Sequence, residues 1–155
     1  TNLYGPYDNF TENGKVVSNL IRKFVKAKQE GSSSVTCLGT GKPMREFMYV
    51  ADAAEALVEV LELYNDVSLP INIGVGTDIS IKELSEIIAR LVGFEGDIVW
   101  DVGAGDGQMK KLLNVERMKR LLNYEAKTSF EKGLSQTIDW YIQNESKINA
   151  YEKNL

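Results

Sequence analysis

Residues 39–52 of the chain read GTGKPMREFMYVAD. This stretch places a glycine-rich turn, one arginine and a short apolar strand directly before a predicted helix. A guanidinium held between a turn and a strand can donate two charge-assisted hydrogen bonds to one phosphate group. The same residues equally allow a turn in which Arg45 pairs with Glu46 or with solvent, so the stretch alone leaves both interpretations open.

Strands and helices alternate on both sides of this stretch. Short apolar runs predict strands over 35–38, 69–73 and 98–100, and hydrophobic residues at helical spacing predict an amphipathic helix over 16–28. Further helices are predicted over 80–92 and 115–122. Such alternation is typical of the α/β class. The strands are too few and too short for a complete Rossmann sheet of five or six strands.

Three helix starts carry the pattern of a capping box, in which Ser, Thr or Asp precedes a glutamate by three residues. The pairs are Asp52 with Glu55, Ser80 with Glu83, and Thr128 with Glu131. The helix after Asp52 is apolar over most of its circumference, which predicts burial on most sides. The helix after Thr128 is predicted to bury four side chains, those of Phe130, Leu134, Ile138 and Ile142.

Length and composition exclude several classes of function. The 155 residues carry a net charge of −4 without a basic stripe, which argues against nucleic-acid binding, and no apolar run is long enough to span a membrane. The chain has no histidine and a single cysteine, Cys37, which excludes histidine triads and a structural zinc site. A lone cysteine suits a reducing cytoplasm, and within an apolar strand it is expected in the core. We expect one domain over 1–145 and a polar, frayed tail over 146–155.

A second glycine-rich loop follows the strand at 98–100. Residues 101–107, DVGAGDG, resemble the loop of adenosylmethionine-dependent methyltransferases. That loop would open a long series of strands and helices, whereas about fifty residues remain here and predict two helices. The alternative places the loop before the basic pair of residues 106–113, DGQMKKLL, in which two lysines either reach a diphosphate or are ordinary surface lysines.

Five segments together carry a more specific resemblance: 2–10 (NLYGPYDNF), 20–24 (LIRKF), 39–52, 71–74 (INIG) and 106–113. As a set they resemble the GDP-L-fucose synthase family, NADPH-dependent 3,5-epimerases and 4-reductases of a GDP-linked keto sugar within the extended short-chain dehydrogenases. The resemblance runs from Asn2 to about Asn144.

The resemblance implies a carboxy-terminal, substrate-binding part of such an enzyme. The family's amino-terminal Rossmann region carries a GxxGxxG phosphate loop and a Ser…TyrxxxLys catalytic set, and neither pattern occurs in this chain. We therefore expect a piece of a longer protein whose partners are the missing Rossmann region and a GDP-linked sugar. NADP(H) is expected in the full-length enzyme, which is expected to be a homodimer. This chain alone is expected to be inactive and to bind no cofactor tightly.

The resemblance also implies roles for individual residues. The substrate-binding positions are Val16, Leu20, Leu38, Arg45, Asp106 and Lys111, and the cofactor-binding positions are Asn2 and Leu3. Lys15 stands where the family has its catalytic histidine, and Lys23 stands where it has an arginine. A lysine donates a proton near neutral pH only if its surroundings lower its pKa, so Lys15 is either a catalytic acid or an ordinary surface lysine. Leu38 replaces a common aromatic residue, which weakens stacking on guanine.

Two alternatives remain open at this point. The lost histidine also suits a related reductase or epimerase that acts on a different nucleotide sugar. The missing Rossmann region also suits a non-catalytic module that binds nucleotide sugars.

Overall fold

The computed structural model describes residues 1–65 and 69–152, and the side chains within them up to residue 150. In these ranges the helices are α1 (Val16–Gln29), α2 (Val50–Leu63), α3 (Ile81–Val92), α4 (Glu116–Leu122) and α5 (Phe130–Glu152). The strands are β1 (Asn2–Tyr4), β2 (Ser34–Leu38), β3 (Met44–Arg45), β4 (Phe47–Tyr49), β5 (Ile79–Ser80), β6 (Asp97–Asp101) and β7 (Lys110–Lys111).

The described strands form three small sheets. β1 pairs with β4 and β2 pairs with β6, both in parallel, while β3 lies between antiparallel β5 and parallel β7. The predicted class is confirmed for the described residues: short strands with amphipathic helices and no complete Rossmann sheet.

The main core lies between α1, α3, α5 and the β2–β6 sheet. The predicted apolar face of α1 is buried throughout, at Val17, Leu20, Ile21, Phe24 and Val25. Cys37 is 2% exposed and lies in the same core, as expected for a small apolar residue. A second, smaller core joins α2 and α4 around Met48 and Met118.

One contact explains why two of the predicted capping boxes are wrong. α2 begins at Val50 with Tyr49 as its N-cap, so Asp52 lies inside the first turn. The buried Asp52 carboxylate accepts hydrogen bonds from the backbone N–H and the hydroxyl of Thr128, each at 2.9 Å. The amide and hydroxyl of Thr128 donate to Asp52 and α5 begins only at Phe130, so its first turn is capped instead by Ser129, whose Oγ accepts from Lys132 N at 3.4 Å. The box at Ser80 is confirmed by its 3.0 Å bond from Glu83 N.

The prediction that α2 is buried on most sides is also wrong. Its buried positions are Asp52, Ala53 and Ala56, which face the second core. Most of its larger apolar side chains lie on another side and are exposed, with Leu61 at 82%, whereas Val60 packs on the second core. No described element packs over that side.

Two smaller expectations fail after α2. Residues 69–73 form no strand, since no described strand lies beside them. A side chain binds their backbone instead: Arg117 Nη1 donates to Pro70 O at 2.6 Å. Ile142 is 49% exposed while Tyr141 is buried. The predicted positions are four residues apart, and because a helix has 3.6 residues per turn, this spacing moves gradually off the buried face of α5. The expected polar tail is helical as far as residue 152, and residues 153–155 lie outside the described residues.

Candidate functional site

The glycine turn at 39–41 needs glycine at both ends. Gly39 and Gly41 have φ of +78° and +74°, a left-handed conformation that other residues adopt at a cost. A Cβ at Gly39 would lie 2.5 Å from Asp106 Oδ1, and one at Gly41 would lie 2.7 Å from Trp100 Cη2. The Gly41 carbonyl accepts a 2.9 Å bond from Lys82 N, which fixes the turn on the start of α3.

Asp106 connects this turn to the second glycine-rich loop. Its carboxylate accepts from Thr40 N at 2.8 Å and from Thr40 Oγ1 at 2.6 Å. These hydrogen bonds, the hydroxyl first and then the amide, lower the pKa of Asp106, and the charge of Lys42 adds to the effect. The exposed carboxylate therefore stays ionised and keeps the two loops together.

Arg45 lies on the central strand of the three-stranded sheet. It is in register with Ile79 of β5 and with Lys111 of β7. Residues in register on neighbouring strands point to the same face, so two cationic side chains start side by side. Arg45 Nη1 donates to Met44 O at 2.7 Å. Among the described residues no carboxylate lies within ion-pair distance of Arg45 or Lys111, whereas Lys110 pairs with Asp78 at 3.4 Å.

Glu46 is a functional candidate that the sequence interpretation missed. It is 1% exposed, and its Oε1 accepts from Val75 N at 2.7 Å and from Gly76 N at 2.6 Å. Its Oε2 accepts from Leu113 N at 3.3 Å. The carboxylate is therefore not a partner of Arg45 but a tie between β3, the 74–76 loop and the segment after β7. The sequence signal that could have pointed to Glu46 is a carboxylate among the apolar residues of 44–50.

Five of the expected site residues line one cavity of about 230 Å³: Asn2, Val16, Leu38, Arg45 and Asp106. Gly107 lies on the same wall, where a Cβ would come 3.8 Å from Arg45 Nη2. Leu38 ends β2 and is 64% exposed, so an apolar surface faces the opening. Arg45 also lines a neighbouring cavity of about 310 Å³ with Tyr4, Tyr49 and other residues. The smaller cavity is the better candidate because the glycine turn and Asp106 form its wall.

The remaining expected residues lie outside this cavity. Lys111 is next to Arg45 in the sheet but is not part of the lining, and Leu20 is buried in the main core. Leu3 is 48% exposed on β1. Lys15 precedes α1 as its N-cap residue, and Lys23 donates to Thr36 O at 3.1 Å.

The sequence and the fold of the chain are similar to those of known proteins. Residues 1–75 match the NAD dependent epimerase/dehydratase family. GDP-L-fucose synthase 1 of Arabidopsis thaliana is 44% identical over 145 residues, which are 93% of this chain and 44% of that protein. The chain is a relative of the GDP-L-fucose synthases. It spans about half the length of such relatives, and the resemblance inferred from its motifs is confirmed. The methyltransferase interpretation of residues 101–107 is set aside.

Solved structures of GDP-L-fucose synthases and related proteins show the same fold. A GDP-L-fucose synthetase from Naegleria fowleri, bound to NADP, superposes with a TM-score of 0.88 at 34% identity and covers 94% of this chain and 46% of its own. A GDP-D-glycero-L-gluco-heptose synthase from Campylobacter jejuni gives 0.77 at 27% identity, over 92% of this chain and 51% of its own.

Two kinds of feature are absent from the described ranges. None of the helices there combines the length and the apolar character that crossing a bilayer requires. Nor do those ranges bring three or more acidic, histidine or cysteine side chains together in a way that could hold a metal ion.

Proposed function

We propose that this chain is the nucleotide-sugar-binding part of an NADP-dependent epimerase/reductase and that its ligand is GDP-linked. The observation that supports this most is the pairing of Arg45 and Lys111 in register beside the cavity of the glycine turn. A diphosphate carries two negative groups, which suits one guanidinium fork and one neighbouring ammonium.

In this proposal each residue has a distinct task. Arg45 and Lys111 bind the diphosphate, and Leu38 and Val16 contact the nucleoside. Asp106 shapes the cavity by holding Thr40. Leu20 acts through the packing of α1, because it is 5% exposed.

The reaction belongs to the longer protein. Asn2 and Leu3 are proposed to contact NADP(H) bound by the Rossmann half, and this chain alone is proposed to be inactive. Lys15 and Lys23 are proposed to take the positions of the family's histidine and arginine; an ammonium group is a weaker acid near neutral pH than an imidazolium, so we expect weak epimerisation. The full-length protein is proposed to be a cytoplasmic homodimer, and the buried free thiol of Cys37 suits that compartment.

A related reductase with a different GDP-sugar is the second candidate. Its support is the fold shared with the Campylobacter jejuni heptose synthase, together with the lysine at position 15.

Titration calorimetry of this chain with GDP, UDP and dTDP tests the proposal. We expect GDP to bind most tightly and Arg45→Ala to weaken it by roughly 2–4 kcal/mol, as for a lost charge-assisted partner. Arg45→Lys should also weaken binding because an ammonium cannot replace the planar fork.

The matched control is Arg90→Ala, which removes an arginine whose partner is the exposed Glu131 on α5. It should leave the dissociation constant for GDP unchanged. Absence of GDP binding to the unmodified chain, or equal affinity in Arg45→Ala, would refute the proposed site.

A further inference from the structure

A second cavity, of about 310 Å³, shares Arg45 with the cavity of the glycine turn and has none of its other lining residues. It lies between the β1–β4 sheet, the segment 74–79, α4 and the start of α5. Apart from Arg45, none of the expected site residues lines it. It is here called the aromatic cavity because four of its lining residues carry aromatic rings: Tyr4, Phe47, Tyr49 and Phe130.

The four rings form one continuous wall. Tyr4 contacts Tyr49 and Phe130 with ring centroids 5.7 and 5.5 Å apart, and Phe47 stacks on Phe130 at 5.8 Å. α5 passes close over this wall at Gly133, where a Cβ would lie 3.1 Å from Tyr49 Cδ2 and would clash with Tyr4 Oη. Packing within the chain therefore fixes the wall, so a ligand would find it already formed.

The rest of the lining combines apolar side chains with a few polar groups. Val75, Ile79 and Met118 supply apolar surface, and Met118 is unbranched and can adapt its shape to a ligand. Among the described residues, the hydroxyl groups of Tyr49 and Thr77 have no hydrogen-bond partner. Apolar walls with a few free polar groups are typical of small-molecule sites. The volume equals about ten water molecules at ~30 Å³ each, which suits one substituted aromatic ring.

The charges of the lining favour an anion. Arg45 is half-buried and has no ion-pair partner among the described residues, so its guanidinium has lost hydration without gaining a counter-charge. Lys119 also lines the cavity and pairs with the exposed Glu125 at 3.4 Å. Two cations and one carboxylate leave the lining with a net positive charge. A planar anion can accept two hydrogen bonds from a guanidinium and pack its ring on aromatic side chains.

We propose that the aromatic cavity is a second ligand site, that its ligand is a small aromatic carboxylate, and that this ligand competes with the diphosphate for Arg45. Arg45 Nη1 donates to Met44 O at 2.7 Å, which leaves Nε and Nη2 as one planar fork. One fork binds one anion in a bidentate geometry at a time. The competition rests on the proposed function, which makes the diphosphate the ligand of the smaller cavity. A filled aromatic cavity then lowers the affinity for the nucleotide sugar.

Calorimetry of this chain with benzoate tests the second site. Benzamide keeps the ring of benzoate without its charge, and acetate keeps the charge without the ring. We expect benzoate to bind saturably, and Arg45→Ala to weaken it by roughly tenfold or more, as does the substitution of benzamide or acetate for benzoate. In NMR titrations the methyl signals of Ile79 and Met118 should shift with benzoate, whereas that of Ile21 in the main core should not.

A blocking variant locates the binding in the aromatic cavity. Thr77 is exposed and lines the cavity, so Thr77→Trp places an indole there without replacing a buried residue. It should abolish benzoate binding and leave the affinity for GDP unchanged. The matched control is Thr36→Trp at an exposed threonine of β2, which should leave both affinities unchanged. Circular dichroism should show that both variants fold.

GDP calorimetry in saturating benzoate measures the competition. We expect the dissociation constant for GDP to rise by roughly fivefold or more, and GDP to weaken benzoate by the same factor, because coupling between two sites is reciprocal. In Thr77→Trp benzoate should have no effect on GDP.

The proposal is overturned if benzoate does not bind saturably, if benzamide or acetate binds equally well, or if Arg45→Ala or Thr77→Trp leaves its affinity unchanged. A GDP affinity that benzoate does not alter would also overturn it. Benzoate binding that depends on Arg45, in a chain that does not bind GDP, would refute the proposed function and the competition while the second ligand site stands.

Discussion

Asp106 shows how an exposed residue can hold together the wall of the candidate cavity. Its carboxylate joins the glycine turn at 39–41 to the loop at 105–107 through two hydrogen bonds from Thr40. Each of the two bonds uses a different carboxylate oxygen, so protonation of the carboxyl group removes one acceptor and weakens the contact. Part of the cavity wall therefore depends on the ionisation of one side chain.

We expect this contact to weaken as the pH falls below the ordinary pKa of an aspartate. The pKa of Asp106 is lowered in the folded chain from its ordinary 3.8, so its contribution to stability is present above that value and disappears as the pH falls through the lower folded pKa. NMR titration of the Asp106 carboxyl carbon and the Thr40 amide should give one shared midpoint below 3.8. In Thr40→Val that midpoint should rise towards the ordinary value, and a midpoint at or above it in the unmodified chain would contradict the assignment.

Glu46 is expected to matter for stability as much as for the site. In Glu46→Gln the amide can present only one acceptor oxygen, so either Leu113 N or the pair at Val75 and Gly76 loses its partner. An unsatisfied buried amide costs about 1–3 kcal/mol of unfolding free energy, measurable by urea denaturation. Glu86→Gln, at an exposed glutamate, is the control and should change stability little. Equal stability of the two variants would argue against the tie.

At the level of elements, the start of α5 is held to the start of α2 by Thr128 and Asp52. Thr128→Val keeps the shape of the side chain but removes the hydroxyl that donates to Asp52 Oδ1. We expect a loss of about 1–3 kcal/mol in unfolding free energy because Asp52 is 4% exposed and loses a donor. Thr36→Val on the exposed side of β2 is the matched control. If both substitutions cost the same, the bond between the two helices contributes nothing measurable.

The elements that were predicted correctly depend on local signals. The period of α1 and the Ser80 cap of α3 lie within a few residues, so a window of sequence suffices. The start of α2 was misplaced because the bond of Asp52 runs to a residue 76 positions away. The run at 69–73 has the composition of a strand, but pairing depends on a neighbour that no described strand supplies.

For the whole molecule, the motifs predicted residues that the structure brings together, but they did not show which contacts join the segments. Arg45 and Asp106 were expected near one ligand, and both line the same cavity. Glu46 was missed because a lone carboxylate in an apolar run does not show where its acceptor oxygens point. The exposure of Leu57, Val58 and Leu61 on α2 could not be foreseen either, since hydrophobicity alone predicts that such a face is buried.

The contacts of Glu46 also set an order of folding events during synthesis. Its carboxylate needs amides that lie 29 and 67 residues further along the chain, at Val75 and Leu113. A nascent chain that has left the ribosome only as far as residue 100 holds Arg45 and the glycine turn but lacks the Leu113 amide, and contacts of such long separation close late. The ribosome must therefore translate the chain beyond β7 before the cavity wall around Arg45 can become rigid.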